Sequence, residues 1–296
     1  MLVQTHDPEK VIAAVAEEPA HAFILRYWME SLNREAQQPA GFLLTDSPDD
    51  PTLLVLQSGA QIFALARRLE GYKRIAEDLL HERIRQTPPW PDEAAAGAWK
   101  RWLLGKGLFV NSSPLVLWEF MLAAGFESLG EEHAHHAYLW VVEGEPRFSR
   151  LVKHPCRVGE GEELWDELRR GIHYDPEGEY VRSCVRRGPS FVCEVGGEKV
   201  CWSATHLNGT MAMIYTPPEH RRKGYAKSLA AFQLDYMLRE YGLACAHVVS
   251  TNIESRNLME SLGARRIHEP CVWRVLYYPG EAEKARLREQ ERKASQ

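Results

Sequence analysis

The sequence lacks the features that mark several large classes of protein. Its 36 Lys and Arg residues are outnumbered by 41 Asp and Glu residues, so no overall basic field favours nucleic acid or an anionic membrane surface. The longest uncharged stretch, 200–218, contains two prolines and several polar side chains, which excludes a membrane span. The first residues are acidic and lack the apolar core of a secretory signal, which predicts a cytoplasmic protein.

Cysteine pairs and two common nucleotide-binding motifs are also absent. The six cysteines, at 156, 184, 193, 201, 245 and 271, form no C-x-x-C pair, and their spacing fits neither a zinc ribbon nor a disulfide framework. We therefore expect reduced, buried thiols. Neither the dinucleotide motif G-x-G-x-x-G nor the phosphate loop G-x-x-x-x-G-K-[ST] occurs.

The 296 residues have the composition of a globular protein, with 45% hydrophobic and 26% charged residues. The length favours two α/β domains, at 1–145 and 146–280, followed by a charged tail at 281–296. Apolar spacing and turn residues predict the elements within them. Helices are predicted at 20–37, 68–86, 114–124, 178–187, 224–242 and 253–262, and strands at 41–45, 52–57, 137–142, 190–195, 199–206, 210–216, 244–250, 264–268 and 271–278.

The segment from Ile214 to Ala226 carries the clearest chemistry. A strand enters a loop rich in Arg and Lys, and Gly224 and Ala226 then open a helix. The first N–H groups of a helix have no internal partner, and the helix dipole adds positive potential there. Small residues let a phosphate approach closely, so the segment is typical of a pyrophosphate-binding loop. The alternative is a basic turn before an ordinary helix; the preceding strand, the two prolines and the long amphipathic helix favour the binding loop.

This segment resembles the GCN5-related N-acetyltransferase (GNAT) superfamily, whose pyrophosphate loop [Q/R]-x-x-G-x-[G/A] corresponds here to Arg221-x-x-Gly224-x-Ala226. Within it, the sequence is most similar to the glycine N-acyltransferase-like family over about 160–278. The first half matches only weakly, and its layout suggests a degenerate copy of the same fold. The residues that carry the closer resemblance are Glu179–Val185, Val200–Ser203, Thr216–Arg221, His247, Val248, Asn252, Ser255, Leu262, Gly263 and Trp273.

The resemblance implies a GNAT fold, a mixed twisted sheet flanked by helices, that binds acyl-CoA where strands 210–216 and 244–250 splay apart. It implies direct attack of an amine on the thioester, with a backbone N–H near 214–216 holding the oxyanion, and no metal. The acyl group is expected to be acetyl, and the acceptor a small-molecule amine or amino acid. The residues expected to contact acyl-CoA are Ile214, Tyr215, Thr216, Arg221, Arg222, Lys223, Gly224, Tyr225, Ala226, Lys227, Ser228, Asn252 and Ser255.

Two positions depart from the superfamily pattern. Thr210 stands where the usual general base is Glu, and Met259 stands where the usual general acid is Tyr. The nearest replacement base is His206, across the 207–209 turn from Thr210, because an unperturbed imidazole accepts a proton near neutral pH. The alternatives are a surface His at a hairpin end, Glu219 as the base, or a water chain that needs no side-chain base. Thr210→Glu is expected to restore the usual carboxylate.

Other interpretations stay open at this stage. The chain could bind CoA without catalysis, or acetylate a protein; we expect no nucleic-acid or membrane partner, and a monomer or homodimer. Residues 131–136 (EEHAHH) could hold a metal, but a charged loop is the favoured interpretation. Trp90, Trp99, Trp102 and Trp118 are expected to pack in a core rather than to form an acceptor surface.

Overall fold

The computed structural model describes residues 2–5, 7–33, 42–58, 61–81, 108–129, 135–160, 162–170, 172 and 178–294. The chain forms two compact units that interleave along the sequence. The first unit comprises residues 1–18, 38–137 and 269–296, and the second comprises 19–37 and 138–268. The sequence predicts a single boundary near 145, whereas the structure places 19–37 in the second unit and 269–280 in the first. Long-range strand pairing and helix packing decide this assignment, and local sequence patterns do not reveal them.

The first unit is a sheet with helices packed against it. Its strands are β1 (Val3–Gln4), β2 (Phe42–Thr45), β3 (Leu53–Ser58), β4 (Gln61–Ala66), β5 (Leu108–Pro114) and most of β12 (Arg265–Leu276). They lie in that order and pair antiparallel except for β4 and β5, which are parallel. Its helices are α1 (Pro8–Val15), α3 (Leu69–Leu80), α4 (Leu115–Ala124) and α9 (Ala282–Ala294).

Trp118 is buried in the core of the first unit, which confirms the packing predicted for it. The other three tryptophans of that group lie outside the described residues. Helix α9 occupies the charged tail, and its described side chains are mostly exposed.

The second unit has its own sheet, in the order β6-β11-β10-β9-β8-β7. Strands β10 and β11 are parallel, whereas β10, β9, β8 and β7 pair antiparallel in succession. Its strands are β6 (His135–Glu143, mostly in this unit), β7 (Cys156–Val158), β8 (Ser190–Val195), β9 (Glu198–Thr205), β10 (Met211–Tyr215) and β11 (Leu243–Val249). Its helices are α2 (Pro19–Asn33), α5 (Trp165–Arg170), α6 (Glu179–Arg187), α7 (Tyr225–Tyr241) and α8 (Ile253–Ser261).

Local sequence signals account for much of the second unit. Gly196 and Gly197 both have positive φ (+62° and +83°), the conformation of a tight two-residue hairpin turn between β8 and β9. Helix α7 is buried on more than one side, since Leu234 and Met237 pack in one apolar cluster and Leu229 packs in another.

Several elements differ from the sequence prediction. Strands β1, β4, β5 and β7 and helices α1 and α5 were not predicted, and α3 ends at Leu80 rather than at 86. The two strands predicted at 264–268 and 271–278 are one strand, β12. Pro270 suggests a break because proline cannot donate to a ladder, yet the strand continues through it. None of the helices in the described part of the chain is long and apolar enough to span a membrane.

Candidate functional site

The loop between β10 and α7 ends in an unused row of backbone donors. Gly224 adopts φ +85° and caps α7, whose first helical hydrogen bond runs from Ser228 N–H to Gly224 O (3.0 Å). The N–H groups of residues 225–227 precede that bond and are not used by the helix. Arg222 also has positive φ (+65°), so the loop turns sharply just before the helix. This arrangement suits an anion at the start of α7.

The cationic residues of the loop are exposed around these donors. Arg221, Arg222 and Lys223 face solvent. Arg221 is partly tethered, because its Nε donates to Thr216 O (3.0 Å) and its guanidinium lies 5.9 Å from the centroid of the Tyr215 ring. The positive charge therefore surrounds the N-terminus of α7 and adds to the helix dipole.

His154 is a neighbour of this loop that sequence reasoning missed. Its Nε2 donates to Lys223 O (3.1 Å), and its ring meets that of Tyr225 edge-on with centroids 4.5 Å apart. A Cβ added at Gly224 would lie 3.8 Å from His154 Nε2. The residue comes from the polar segment before β7, about 70 positions earlier in the sequence, so no local motif could have associated it with the loop.

Ser228 has a different role from the predicted phosphate contact. Its side chain is buried, and its Oγ accepts from Lys153 N–H (2.9 Å) and donates to Leu151 O (3.4 Å). The hydroxyl therefore holds segment 151–153 against α7 and does not face the loop.

Strand β10 is irregular just beyond the point where it pairs with the parallel strand β11. Met211 pairs with Ala246 of β11. On the other side, the register with β9 shifts between Ala212 and Tyr215, and Met213 has φ +57°. Such a bulge bends the strand and takes backbone groups out of the ladder. The half-buried residues Ile214, Tyr215 and Thr216 lie at or just beyond this bulge and lead into the loop.

The turn before β10 is closed by side-chain and backbone hydrogen bonds. Asn208 Oδ1 accepts from both the N–H (3.2 Å) and the Oγ1 (2.8 Å) of Thr210, and His206 N–H donates to Thr210 O (2.9 Å). Thr210 is fully buried. Its hydroxyl is thus committed to the turn.

His206 is buried rather than exposed at a hairpin end. Only 9% of its surface is accessible, and its Nδ1 lies 2.8 Å from the Oη of Tyr180 on α6. Burial lowers the pKa of His206 to about 4, because the charged form loses its hydration. His206 is therefore neutral at pH 7.

A second buried histidine lies in electrostatic range of the first. The pKa of His247, on β11, is lowered to about 3, mainly by burial and also by positive charge on His206 and His21. His21 belongs to α2, whose Phe23 and Tyr27 pack against Tyr241 at the end of α7. His206, just after β9, and His21, on α2, thus both lie within electrostatic range of His247, and the phenol of Tyr180 contacts the first of them.

Asn252 caps α8, as its position after β11 predicts. Its Oδ1 accepts from the N–H of Ser255 (3.0 Å), and both residues lie on the accessible surface. Glu219, the alternative base, is exposed in the loop. The possible metal ligands at 131–134 lie outside the described residues, and among those that are described no group of His, Cys, Asp or Glu has the arrangement of a metal site.

Comparisons with known proteins agree with this geometry. A family model described as FR47-like protein matches residues 192–274. A Drosophila protein of known structure is 15% identical, with 86% of this chain and 90% of that chain covered and a TM-score of 0.62. A tandem GNAT protein from the clavulanic acid biosynthesis pathway is 14% identical, with 95% and 99% covered and a TM-score of 0.52. Such identities show the fold alone: the chain has the GNAT fold. The narrower glycine N-acyltransferase-like assignment stays a prediction.

Proposed function

We propose that the second unit is an acyl-CoA-dependent N-acyltransferase, which moves an acyl group, most simply acetyl, to a small-molecule amine or amino acid. The observation that carries this proposal is the N-terminus of α7, where Gly224 in the left-handed conformation leaves three N–H groups free amid exposed cations. The loop that leads into α7 follows β10, a bulged strand with the parallel strand β11 beside it. This arrangement supports acyl-CoA over a free phosphate as the ligand.

The pyrophosphate of acyl-CoA would lie on the N–H groups of residues 225–227. Arg222 and Lys223 supply charge from solvent, and the absence of a Cβ at Gly224 keeps the approach open. Asn252 and Ser255 are proposed to contact the pantetheine arm or phosphate from the α8 side. This fit depends on backbone donors, so it tolerates changes in side chains better than changes in backbone conformation.

The thioester would lie between β10 and β11, beyond their pairing at Met211 and Ala246. The register with β9 shifts between Ala212 and Tyr215, so the backbone at residues 213–214 lies outside the regular β9 ladder, and an N–H there is proposed to donate to the oxyanion that forms when the amine attacks. The amine bonds to the carbonyl carbon, the C–S bond breaks, and CoA departs as a thiolate. Because a thiolate leaves without prior protonation more easily than an alkoxide, Met259 in place of Tyr does not prevent the step.

His206 is proposed to accept the proton from the amine. With its Nδ1–H donated to Tyr180 Oη, His206 is in the tautomer whose Nε2 acts as an acceptor. Tyr180 would then be a positioning residue, which fixes the ring and the tautomer. A pKa of about 4 makes His206 a weak but always available base at neutral pH.

The test compares two glycines at opposite ends of the same helix. Gly224 and Gly242 cap the two ends of α7 with φ of +85° and +69°, so a Leu strains both positions similarly. We expect Gly224→Leu to abolish the thermal stabilisation of the protein by acetyl-CoA and its CoA release with amine acceptors, and Gly242→Leu to keep both. If acetyl-CoA does not stabilise the folded wild type, or if both variants bind it equally, this function is wrong.

A second function is favoured by one specific observation. Thr210 offers no carboxylate at the usual base position, and its hydroxyl is committed to Asn208. A protein that binds acyl-CoA without catalysis would show the acetyl-CoA stabilisation but release no CoA with any panel of amines and amino acids. The same panel, extended to peptides with a free N-terminus or lysine, separates a small-molecule acceptor from a protein acceptor.

A further inference from the structure

Three cysteines form a row across neighbouring strands of the second unit. Cys156 on β7 is directly opposite Cys193 on β8, which is directly opposite Cys201 on β9. Side chains of directly opposed residues point to the same face of a sheet. All three thiols therefore share one face, and all three belong to one apolar cluster that also includes Tyr225 and Ala226 from the first turn of α7.

Cys156 and Cys193 are the members of this row suited to a reversible disulfide. Directly opposed Cβ atoms in a sheet are about 4.5–5.5 Å apart, and a disulfide needs about 3.5–4.5 Å. Strand β7 has three residues and is the last strand of the sheet, so it can shift by the remaining distance. Cys156 is partly accessible, whereas Cys193 and Cys201 are buried.

The chemistry of the thiols distinguishes the same pair. The hydrogen bond from Cys156 lowers the pKa of Cys193, and that bond together with burial raises the pKa of Cys156. The first proton of the pair is therefore lost at a lower pH than from an isolated thiol, and the second proton at a higher pH. Burial raises the pKa of Cys201 to about 12, which leaves it unreactive at neutral pH.

The segment just before Cys156 contacts the loop at the start of α7. His154, two residues earlier, donates to Lys223 O and packs on Tyr225, and Lys153 N–H donates to Ser228 Oγ. A shift of β7 toward β8 moves this segment. Disulfide formation at Cys156 would therefore disturb the backbone that precedes Gly224.

We propose that Cys156 and Cys193 are a thiol–disulfide modification site that reacts with low-molecular-weight disulfides such as oxidised glutathione and weakens anion binding at the start of α7. Once the pair has lost its first proton, the remaining shared proton passes along the hydrogen bond to Cys193, and the accessible Cys156, now the thiolate, attacks one sulfur of the glutathione disulfide, which forms a mixed disulfide and releases one glutathione thiolate. Cys193 then attacks the sulfur of Cys156, and the second glutathione leaves. Two protein thiols are oxidised, one external disulfide is reduced to two thiols, and the two protein protons pass to the departing glutathione.

The first experiment maps the disulfide in the full chain. After incubation with oxidised glutathione, we expect two of the six thiols to be lost, mass spectrometry to find Cys156 linked to Cys193, and dithiothreitol to restore both. Cys156→Ser should keep all five of its thiols and should fold, since the side chain at 156 is half-buried. Cys184→Ala, a buried cysteine on α6 outside the row, should lose two like the wild type. No linkage in the folded protein, a linkage between other cysteines, or an unchanged loss in Cys156→Ser would overturn the site.

The second experiment tests the effect on the loop and rests on the proposed function. Acetyl-CoA is the probe, because it carries no free thiol that would reduce the disulfide. We expect the rise in Tm that it causes to shrink in the oxidised wild type and to be unchanged by oxidant in Cys156→Ser. An equal rise in the oxidised and reduced wild type overturns the coupling. If acetyl-CoA does not stabilise even the reduced protein, the proposed function is wrong. The mass-spectrometric mapping still shows whether Cys156 and Cys193 form the disulfide.

Discussion

Thr210 shows how one residue limits what its position can do. Its Oγ1 and N–H both donate to Asn208 Oδ1, and its side chain has no exposed surface. The resemblance suggests that a carboxylate here restores the usual base. The structure indicates instead that a carboxylate at residue 210 would displace the hydroxyl that closes the turn.

Thr210→Glu is therefore expected to destabilise the protein. It removes a buried hydrogen bond, which costs about 1–3 kcal/mol when a partner is left unsatisfied, and adds a charge in an apolar place. Urea unfolding measures the loss, and Thr210→Ser, which keeps the hydroxyl, is the matched control. A variant as stable as the wild type with faster CoA release would mean that the turn accepts a carboxylate base.

The pair of His206 and Tyr180 gives a prediction about pH. An ordinary imidazole as the base predicts a rate that rises with pH through an ionisation near neutrality. With a pKa of about 4 for His206, this rise in the pH–rate profile moves into the acid range. The rate should rise with pH through about 4, because only neutral His206 accepts a proton, and should be independent of His206 ionisation around pH 7.

Variants of the pair test the proposed roles. His206→Gln should lower turnover by about 10²–10⁴-fold, the usual contribution of a positioned base. Tyr180→Phe should lower it less and alter the acid limb, while the KM for acyl-CoA stays unchanged. His268→Gln, at an exposed position on β12, is the control. A near wild-type rate for His206→Gln would favour proton removal through water.

At the scale of elements, the site depends on where strands and helices end. The N-terminus of α7 presents donors, β10 is irregular between Ala212 and Tyr215, and the N-terminus of α8 brings Asn252 to the surface. Each of these ends is set by a local feature: a left-handed glycine, a residue with positive φ, and a side-chain cap.

The cap of α8 separates a structural role from a binding role. Asn252→Ala should lower the free energy of unfolding by about 0.5–2 kcal/mol, because the Ser255 N–H loses its partner. Asn252→Asp keeps the cap but adds a negative charge beside the proposed phosphates, so stability should hold while acetyl-CoA affinity falls. Isothermal titration of both variants measures this. Equal affinity for Asn252→Asp and the wild type would limit the residue to capping.

Elements with strong local signals were predictable, and those fixed by distant partners were not. The β8–β9 hairpin and α7 follow from two glycines and a long apolar period. Strand β5 has a polar sequence and is a strand because it pairs with β4 and β12. The site divides in the same way: the 221–227 loop is contiguous and was predicted, whereas His154 and Tyr180 come from elsewhere in the chain.

At the scale of the whole molecule, the buried histidines link stability to acidity. The pKa values of His206 and His247 lie near 4 and 3, against about 6.5 in an unfolded chain. At pH values between the folded and the unfolded pKa, the unfolded state binds more protons than the folded state, so the free energy of unfolding rises with pH. The contribution is complete above about pH 6.5 and is lost progressively as the pH falls toward 4.

We expect the free energy of unfolding to fall between pH 7 and pH 4, and the fall to be smaller in the double variant His206→Gln/His247→Gln. Urea unfolding at several pH values gives the slope. The exposed pair His136→Gln/His268→Gln should leave it unchanged. If the variant His206→Gln/His247→Gln shows the wild-type slope, these two imidazoles are not the source of the pH dependence.

The interleaving of the two units has a consequence for synthesis on the ribosome. Helix α2 emerges early, yet the strands of its own unit follow more than a hundred residues later. The first unit, in turn, lacks the β12 partner of β5 until residues 271–276 have been made. Multidomain chains generally fold one domain at a time from the N-terminus. Here neither unit can reach its final form until almost the whole chain has been translated, so nascent intermediates must keep α2 and the edge of β5 from wrong partners in the meantime.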